Sequence, residues 1–227
     1  MARLARDFYS GDTVETARAL LGRYLVRVWQ GERLVCRITE TEAYVGRCDK
    51  ACHAYGYRRT ERTAVLFGPP GHAYVYFIYG MYHCLNFVTE PEGEPAAVLV
   101  RGAEPVRGLD TICRLRFGLK ADALTPAQRK NLMNGPGKLC KAISLTKAEN
   151  GVDLTGDTLF LCDSLEDLGL PPLPPRAELL RTGPRIGVDY AEEARAFPWR
   201  FWLEPLAAPD SPAAGSGRRK DGPDASF

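Results

Sequence analysis

A single domain that mixes β-strands with short helices is the fold the sequence predicts. Residues 23–29 and 33–45, joined around Gln30-Gly31-Glu32, and residues 73–79 and 81–89, on either side of Gly80, read as hairpin-connected strands. Elsewhere the apolar spacing changes to three and four residues, as at Leu109, Ile112, Cys113 and Phe117, which is the spacing of a helix face. With 227 residues, 45% hydrophobic and 26% charged, the chain has material for one sizeable core rather than two small ones.

Taken in order, Ser10 or Asp12 caps a helix through Leu21, with Val14, Ala17, Leu20 and Leu21 apolar and Gly22 suited to its end. In the second strand Leu34, Cys36 and Ile38 share one face; on an unbroken strand that face also carries Glu40, Glu42 and Tyr44. Residues Gly46 to Arg62 are polar and turn-rich, with Arg58, Arg59 and Arg62 clustered, and Gly68-Pro69-Pro70-Gly71 marks a tight connection. In YVYFIYGMYHCLN, residues 74–86, strand parity sends Tyr74, Tyr76 and Ile78 one way and Val75, Phe77 and Tyr79 the other. For Tyr74 and Phe77 the plain expectation is an aromatic sheet core. Pro95 to Gly102 reads as another strand, and Thr125-Pro126 as a cap with a first-turn proline. Asn134-Gly135-Pro136-Gly137 leads into a short helix at 138–142, and late strands are expected at 157–162 and 200–203, separated by LPPLPPRAELL. Residues 207–227 have the composition of a disordered tail, which leaves 1–206 as the domain.

Several classes are disfavoured. The longest apolar run falls well short of the roughly 18 residues a membrane helix needs, so no membrane partner is expected. The start, MARLARDFYSGD, lacks the apolar stretch and cleavage site of a secretory signal, which points to the cytoplasm, with nucleoid association if the source is bacterial. Seven cysteines at irregular spacing suggest reduced thiols. Cys48, Cys52 and His53 form C-x3-C-H, yet no second Cys/His pair lies near to complete a zinc site, and no metal is expected. A net charge of +2 announces no nucleic-acid partner by itself.

Individual residues carry more. Tyr79 directly precedes the glycine break, where a strand tip presents a large ring outward, and such a ring can wedge between bases. Glu42 on an inward face is a partly desolvated carboxylate with raised proton affinity, able to take a proton from water, unless it is simply a strand-end salt bridge. Arg101 shares a strand face with Ala97 and Leu99 and needs an acid partner if buried. His53 and Asn86 read equally as structural hydrogen-bonders, and Lys138 opens a helix whose free amides suit a phosphate.

These stretches also occur in a telling order. RITETEAYVG at 37–46, His53, GPPGHAYVYFIYGMYHCLN at 68–86, VLVRGAEP at 98–105, NGPGKLC at 134–140 and RIGV at 185–188 together resemble the alkyladenine (3-methyladenine) DNA glycosylase family, over about Leu4 to Leu203. The resemblance implies one α+β domain around a curled antiparallel sheet, flanked by helices, with a protruding hairpin. It implies excision of alkylated purines and hypoxanthine from double-stranded DNA, without a metal or organic cofactor, by an enzyme that needs only a monomer. By the same resemblance Glu42 matches the general base that activates water and Arg101 the arginine that holds that water. Tyr79 matches the intercalating tyrosine; Tyr44, His53 and Tyr76 match the rings that sandwich the base. Asn86 matches a pocket-wall asparagine, and Ile186 a position whose main chain binds the water or sugar. Arg58, Arg59, Arg62, Gly137 and Lys138 are expected at the DNA backbone. Cys52, where a serine commonly precedes the histidine, and the charged loop 57–62 depart from the family pattern. The rivals are a non-catalytic single-strand binder using Tyr74, Tyr76 and Tyr82 as a platform, and a metal-dependent hydrolase using Cys48, Cys52 and His53.

Overall fold

The structure, a computed structural model, describes residues 3–206, so the expected tail lies outside the described residues. Asp12 caps helix α1 (Thr13–Ala19), accepting from the amides of Val14 and Glu15 at 2.9 and 3.0 Å. Gly22, at φ 83, turns the chain into β1 (Tyr24–Trp29), and Gln30-Gly31, both at positive φ, make the two-residue turn to β2 (Glu32–Val45). That conformation matches the twist of paired strands. β3 (Ala73–Ile78) and β4 (Tyr82–Val88) form a second hairpin, and β5 (Ala96–Arg107) lies between β4 and β2.

Eight antiparallel strands make one sheet in the order β3-β4-β5-β2-β1-β6, where β6 is Leu159–Cys162. β8 (Arg200–Pro205) pairs with residues 40–42 of β2, beyond the stretch that β1 occupies, and β7 (Glu178–Gly183) pairs with β8 alone. Helices α2 (Leu109–Phe117), α3 (Pro126–Lys130) and α4 (Pro136–Ala142) complete an α+β fold. Thr125 and Gln128 form a capping box at α3. Ala17 and Leu20 at α1, Ile112 and Cys113 of α2, and Leu139 and Cys140 of α4 bury themselves against Leu34, Cys36, Ile38, Val98 and Val100 of the sheet. β5 pairs with β4 only at residues 86–88, so the outer half of the β3–β4 hairpin projects past it, leaving Tyr79 79% and Met81 66% exposed.

Four expectations need correction. β5 runs on to Arg107 through Pro105, which is tolerated because β4 pairs only with residues 97–99 and leaves that edge free. β7 begins where the sequence predicts a proline-rich connector; it is an edge strand with little burial, so it carries no alternating pattern. Phe77 is not core: it is 49% exposed and lies against His83, ring centroids 5.0 Å apart. Finally, β2 is not unbroken. Between the pairs Ile38–Ala103 and Glu40–Gly102, β2 takes two steps to one of β5, and between Glu40–Gly102 and Thr41–Val100 the count reverses. Thr39 and Arg101 are thus the extra residues of two adjacent bulges, and each flips the facing of its strand. Past them the core face is continued by Ala43, and by Thr41, whose hydroxyl donates to the Ala17 carbonyl at 2.7 Å. Glu42 and Tyr44 turn to the opposite face.

Candidate active site

On that opposite face β3, β4, β5 and the end of β2 wall a cavity of about 470 Å³, closed by the 51–53, 135–138 and 186–190 segments. Tyr44, Arg101 and Ile186 line it, and Glu42 stands directly behind these three with no exposed surface. Its Oε1 accepts from the Ile186 amide at 2.8 Å and lies 3.4 Å from Arg101 Nη1; its Oε2 accepts from the Tyr44 hydroxyl at 2.7 Å. Burial raises the Glu42 pKa above the ordinary carboxylate value, opposed by Arg101, then by the Ile186 amide and the Tyr44 hydroxyl. The result is an enclosed acid, more basic than a surface one, whose anion still has two hydrogen-bond donors and a guanidinium beside it. Arg101 also donates to Glu40 at 3.1 Å, and Arg200 donates to the same Glu40 oxygen at 2.6 Å. The sequence places Glu40 on the strand face of Glu42 but gives neither it nor Arg200 a role at the site.

The aromatic wall is built from β3 and the loop after β2. His53 Nδ1 shares a hydrogen bond with the Tyr74 hydroxyl at 2.9 Å, and its ring meets Tyr76 edge-on, centroids 4.6 Å apart. The two rings are therefore one continuous surface. Burial, then the nearby Arg62, pushes the His53 pKa down to about 4, so the imidazole is neutral at physiological pH. Arg62 lies over the Tyr76 ring at 5.0 Å, while Arg59 lies over Phe67 at 5.4 Å and Arg58 is exposed; none of the three lines the cavity. Asn86 is buried in the wall, its amide NH₂ donating to the carbonyls of Tyr74 and Cys84 at 3.0 and 3.4 Å.

Tyr79 sits at the hairpin tip and cavity mouth with φ 53, next to Gly80 at φ 66, in a turn closed by the Met81 amide donating to the Ile78 carbonyl at 3.3 Å. A bulky residue at positive φ is strained, a feature that clusters at functional sites. Gly137 backs the hairpin: a Cβ there would come within 2.8 Å of the Tyr82 side chain. Lys138, also at the cavity edge, donates to Asn131 and Asn134 at 2.8 and 2.9 Å.

Sequence reasoning missed two further residues. Arg185 and Asp49 are fully buried side chains joined through both terminal guanidinium nitrogens, Nη1 and Nη2, and Arg185 lies against the Tyr44 ring at 4.6 Å. RIGV carried Arg185, but its partner lies 136 residues away and nothing local marks the pairing. Among the described residues no three His, Cys, Asp or Glu side chains converge as a metal set; Cys52 is buried, its thiol pushed up to about 12 by desolvation, and Cys48 is exposed.

The methylpurine-DNA glycosylase family matches residues 7–206, in agreement with the motif resemblance. A protein of Alkaliphilus oremlandii is 47% identical over 89% of this chain and 96% of its own length. Proteins of Bacillus cereus and Bacillus anthracis are each 51% identical over 87% of this chain and 94% of theirs. All three carry 3-methyladenine DNA glycosylase as a provisional name.

Proposed function

Since the chain belongs to the methylpurine-DNA glycosylase family, and is thereby a DNA glycosylase of alkylated-base repair, we propose that it everts alkylated or deaminated purine nucleotides from duplex DNA and hydrolyses the base–deoxyribose bond with a water activated by Glu42. One observation carries this reading. A fully enclosed carboxylate is held by hydrogen bonds from β2 and the 184–188 segment and by an ion pair from β5, and all three residues line the aromatic cavity.

A base inside the stack is out of reach of that carboxylate, so the nucleotide must turn out into the cavity. Tyr79 fills the gap it leaves, offsetting part of an unstacking cost on the order of a few kcal/mol. Tyr44, His53 and Tyr76 take up the base, each contact worth ~1–3 kcal/mol by analogy with single-strand binders. Asn86 shapes the wall. Of Glu42's three contacts the approach of Arg101, at 3.4 Å, is the longest and too short to hold a water between the groups, so the guanidinium moves aside to admit the water to the carboxylate, with the Ile186 main chain beside it. Glu42 takes the proton as the water oxygen bonds to the sugar carbon and the bond to the base breaks. Arg58, Arg59, Arg62 and Lys138 supply charge to the DNA backbone, and Gly137 lets the chain approach it. No lysine forms a covalent intermediate, the product is an intact abasic site, one pocket serving one base needs only a monomer, and no cofactor enters the scheme.

General-base help is worth roughly 10²–10⁴ in rate, less than a full enzymatic acceleration, so the leaving group contributes the rest. Cationic 7-methylguanine departs readily; neutral hypoxanthine needs a proton delivered as it leaves. Single-turnover excision by Glu42→Gln is therefore expected to fall by a larger factor for hypoxanthine than for 7-methylguanine. Equal fractional losses would refute this dependence on the leaving group, and no loss on either base would remove Glu42 from the chemistry.

A further inference from the structure

The buried pair of Asp49 and Arg185 has no part in the steps above. Its two charged side chains are wholly enclosed. Such a pair is no more stabilising than well-packed apolar side chains of the same volume, so its presence calls for another reason. The surroundings supply one. Besides Asp49, Arg185 donates to the carbonyl of Ala43, between Glu42 and Tyr44 in β2, at 2.7 Å, and to that of Ala194 at 3.1 Å, while its guanidinium lies 4.6 Å from the Tyr44 ring centroid. Asp49 in turn accepts from the amides of Val45 and Ala51 at 3.4 and 2.9 Å, tying the end of β2 and the start of the His53 loop to the same point. The next residue after Arg185 is Ile186, whose amide reaches Glu42.

We propose that Asp49 and Arg185 are positioning residues for the glycosylase reaction: their ion pair fixes the Ile186 main chain and the Tyr44 ring so that both donors meet the Glu42 carboxylate. This rests on the reading of Glu42 as general base. The planar fork of arginine serves two oxygens of Asp49 and two carbonyls at once, which the single ammonium of lysine cannot do. Arg185→Lys therefore keeps the charge and loses the geometry.

The test is kcat/KM against pH on a duplex carrying one 7-methylguanine, with the full chain. The groups acting on Glu42 are Glu40 and Tyr44 from β2, Cys84 from β4, Arg101 from β5 and Arg185 itself, with Arg200 of β8 acting through Glu40; Arg185→Lys changes none of their charges. Expected is a rate loss of about a hundredfold, the scale of an ångström of misplacement, and an acid limb moved to higher pH as Glu42 loses the donors that favour its anion. Ile186→Pro, which removes the amide hydrogen while also exchanging the side chain for a ring and fixing φ, is expected to move the limb the same way. An unchanged rate for Arg185→Lys, or a loss equal to the fall in correctly folded enzyme with an unmoved limb, overturns the proposal and leaves the pair merely structural. If Arg185→Lys does not fold, the uncharged double variant Asp49→Asn, Arg185→Gln is measured instead, and an unmoved limb overturns the proposal there too. Failure of the underlying reading looks different: Glu42→Gln would then excise at the wild-type rate.

Discussion

Replacing Tyr79 with asparagine separates what the hairpin tip costs the folded protein from what it contributes on DNA. Tyr79 is 79% exposed, so the substitution forfeits little buried surface, and its φ of 53 is one that asparagine adopts readily. An L-residue in the left-handed region costs about 1–2 kcal/mol, and Asn-Gly is the preferred pair for a two-residue turn with both φ values positive. Taking the lower figure, the variant gains about 1 kcal/mol, or ~2–4 °C in Tm for a domain of this size. On duplex DNA the sign reverses. A ring stacked in the vacated step is worth ~1–3 kcal/mol, so its removal slows single-turnover excision by about 5- to 150-fold.

The assay pairs thermal unfolding with excision of one lesion in duplex and in single-stranded DNA, where no base step needs filling. Expected is a higher Tm, a large loss on duplex and little change on the single strand. A lower Tm would mean that the strain at position 79 is not relieved by asparagine. Equal loss on both substrates would mean that Tyr79 acts within the cavity and not as a wedge.

Three other outcomes are expected. Gly137→Ala puts a methyl within 2.8 Å of Tyr82, and overpacking of this kind costs about 1–3 kcal/mol; the hairpin should shift, with duplex excision falling more than Tm, and unchanged excision would show that the β4–α4 contact does not set the hairpin. Borohydride treatment during turnover should trap no enzyme–DNA adduct, and a covalent adduct would refute water as the nucleophile. The third outcome concerns Glu42 and stability. Its folded pKa is raised, so the stability it lends is present below the unfolded-state pKa and lost as pH rises through the folded one. Glu42→Gln has no such loss; denaturant melts should therefore show the variant gaining on wild type as pH rises above the ordinary glutamate range of about 4.3, and a gap that fails to widen would contradict the burial argument.

Every strand but β7, the hairpins β1–β2 and β3–β4, and the aromatic stretch were legible because period-two patterning and turn residues are local. What lay beyond reach was whatever depends on register or on distant pairing. Glu42 illustrates the first. Counting alternation from Leu34 puts it on the core face, and it is indeed buried, but for a different reason: the bulge at Thr39 turns it away from α1 and toward the cavity. On an unbroken ladder, alternation would have set the carboxylate among Leu34, Cys36 and Ile38, with no donor and no route for a base. Arg185 illustrates the second, since an arginine between Pro184 and Ile186 reads as surface until Asp49 is brought beneath it.

The two cases share a logic. A general base of raised proton affinity must be desolvated, yet it must also stay ionised, and these demands conflict unless donors arrive from several directions. Side chains of a regular strand alternate between its two faces and do not gather donors of this kind around one carboxylate. The bulge on β5 makes Arg101 the extra residue of its strand, and the bulge on β2 reverses the facing of Glu42 and Tyr44. The third group, the Ile186 amide, comes from a segment with no ladder of its own, which is where a buried ion pair does what strand pairing does elsewhere. The irregularities that defeat periodicity are thus the same features that reconcile burial with ionisation at position 42.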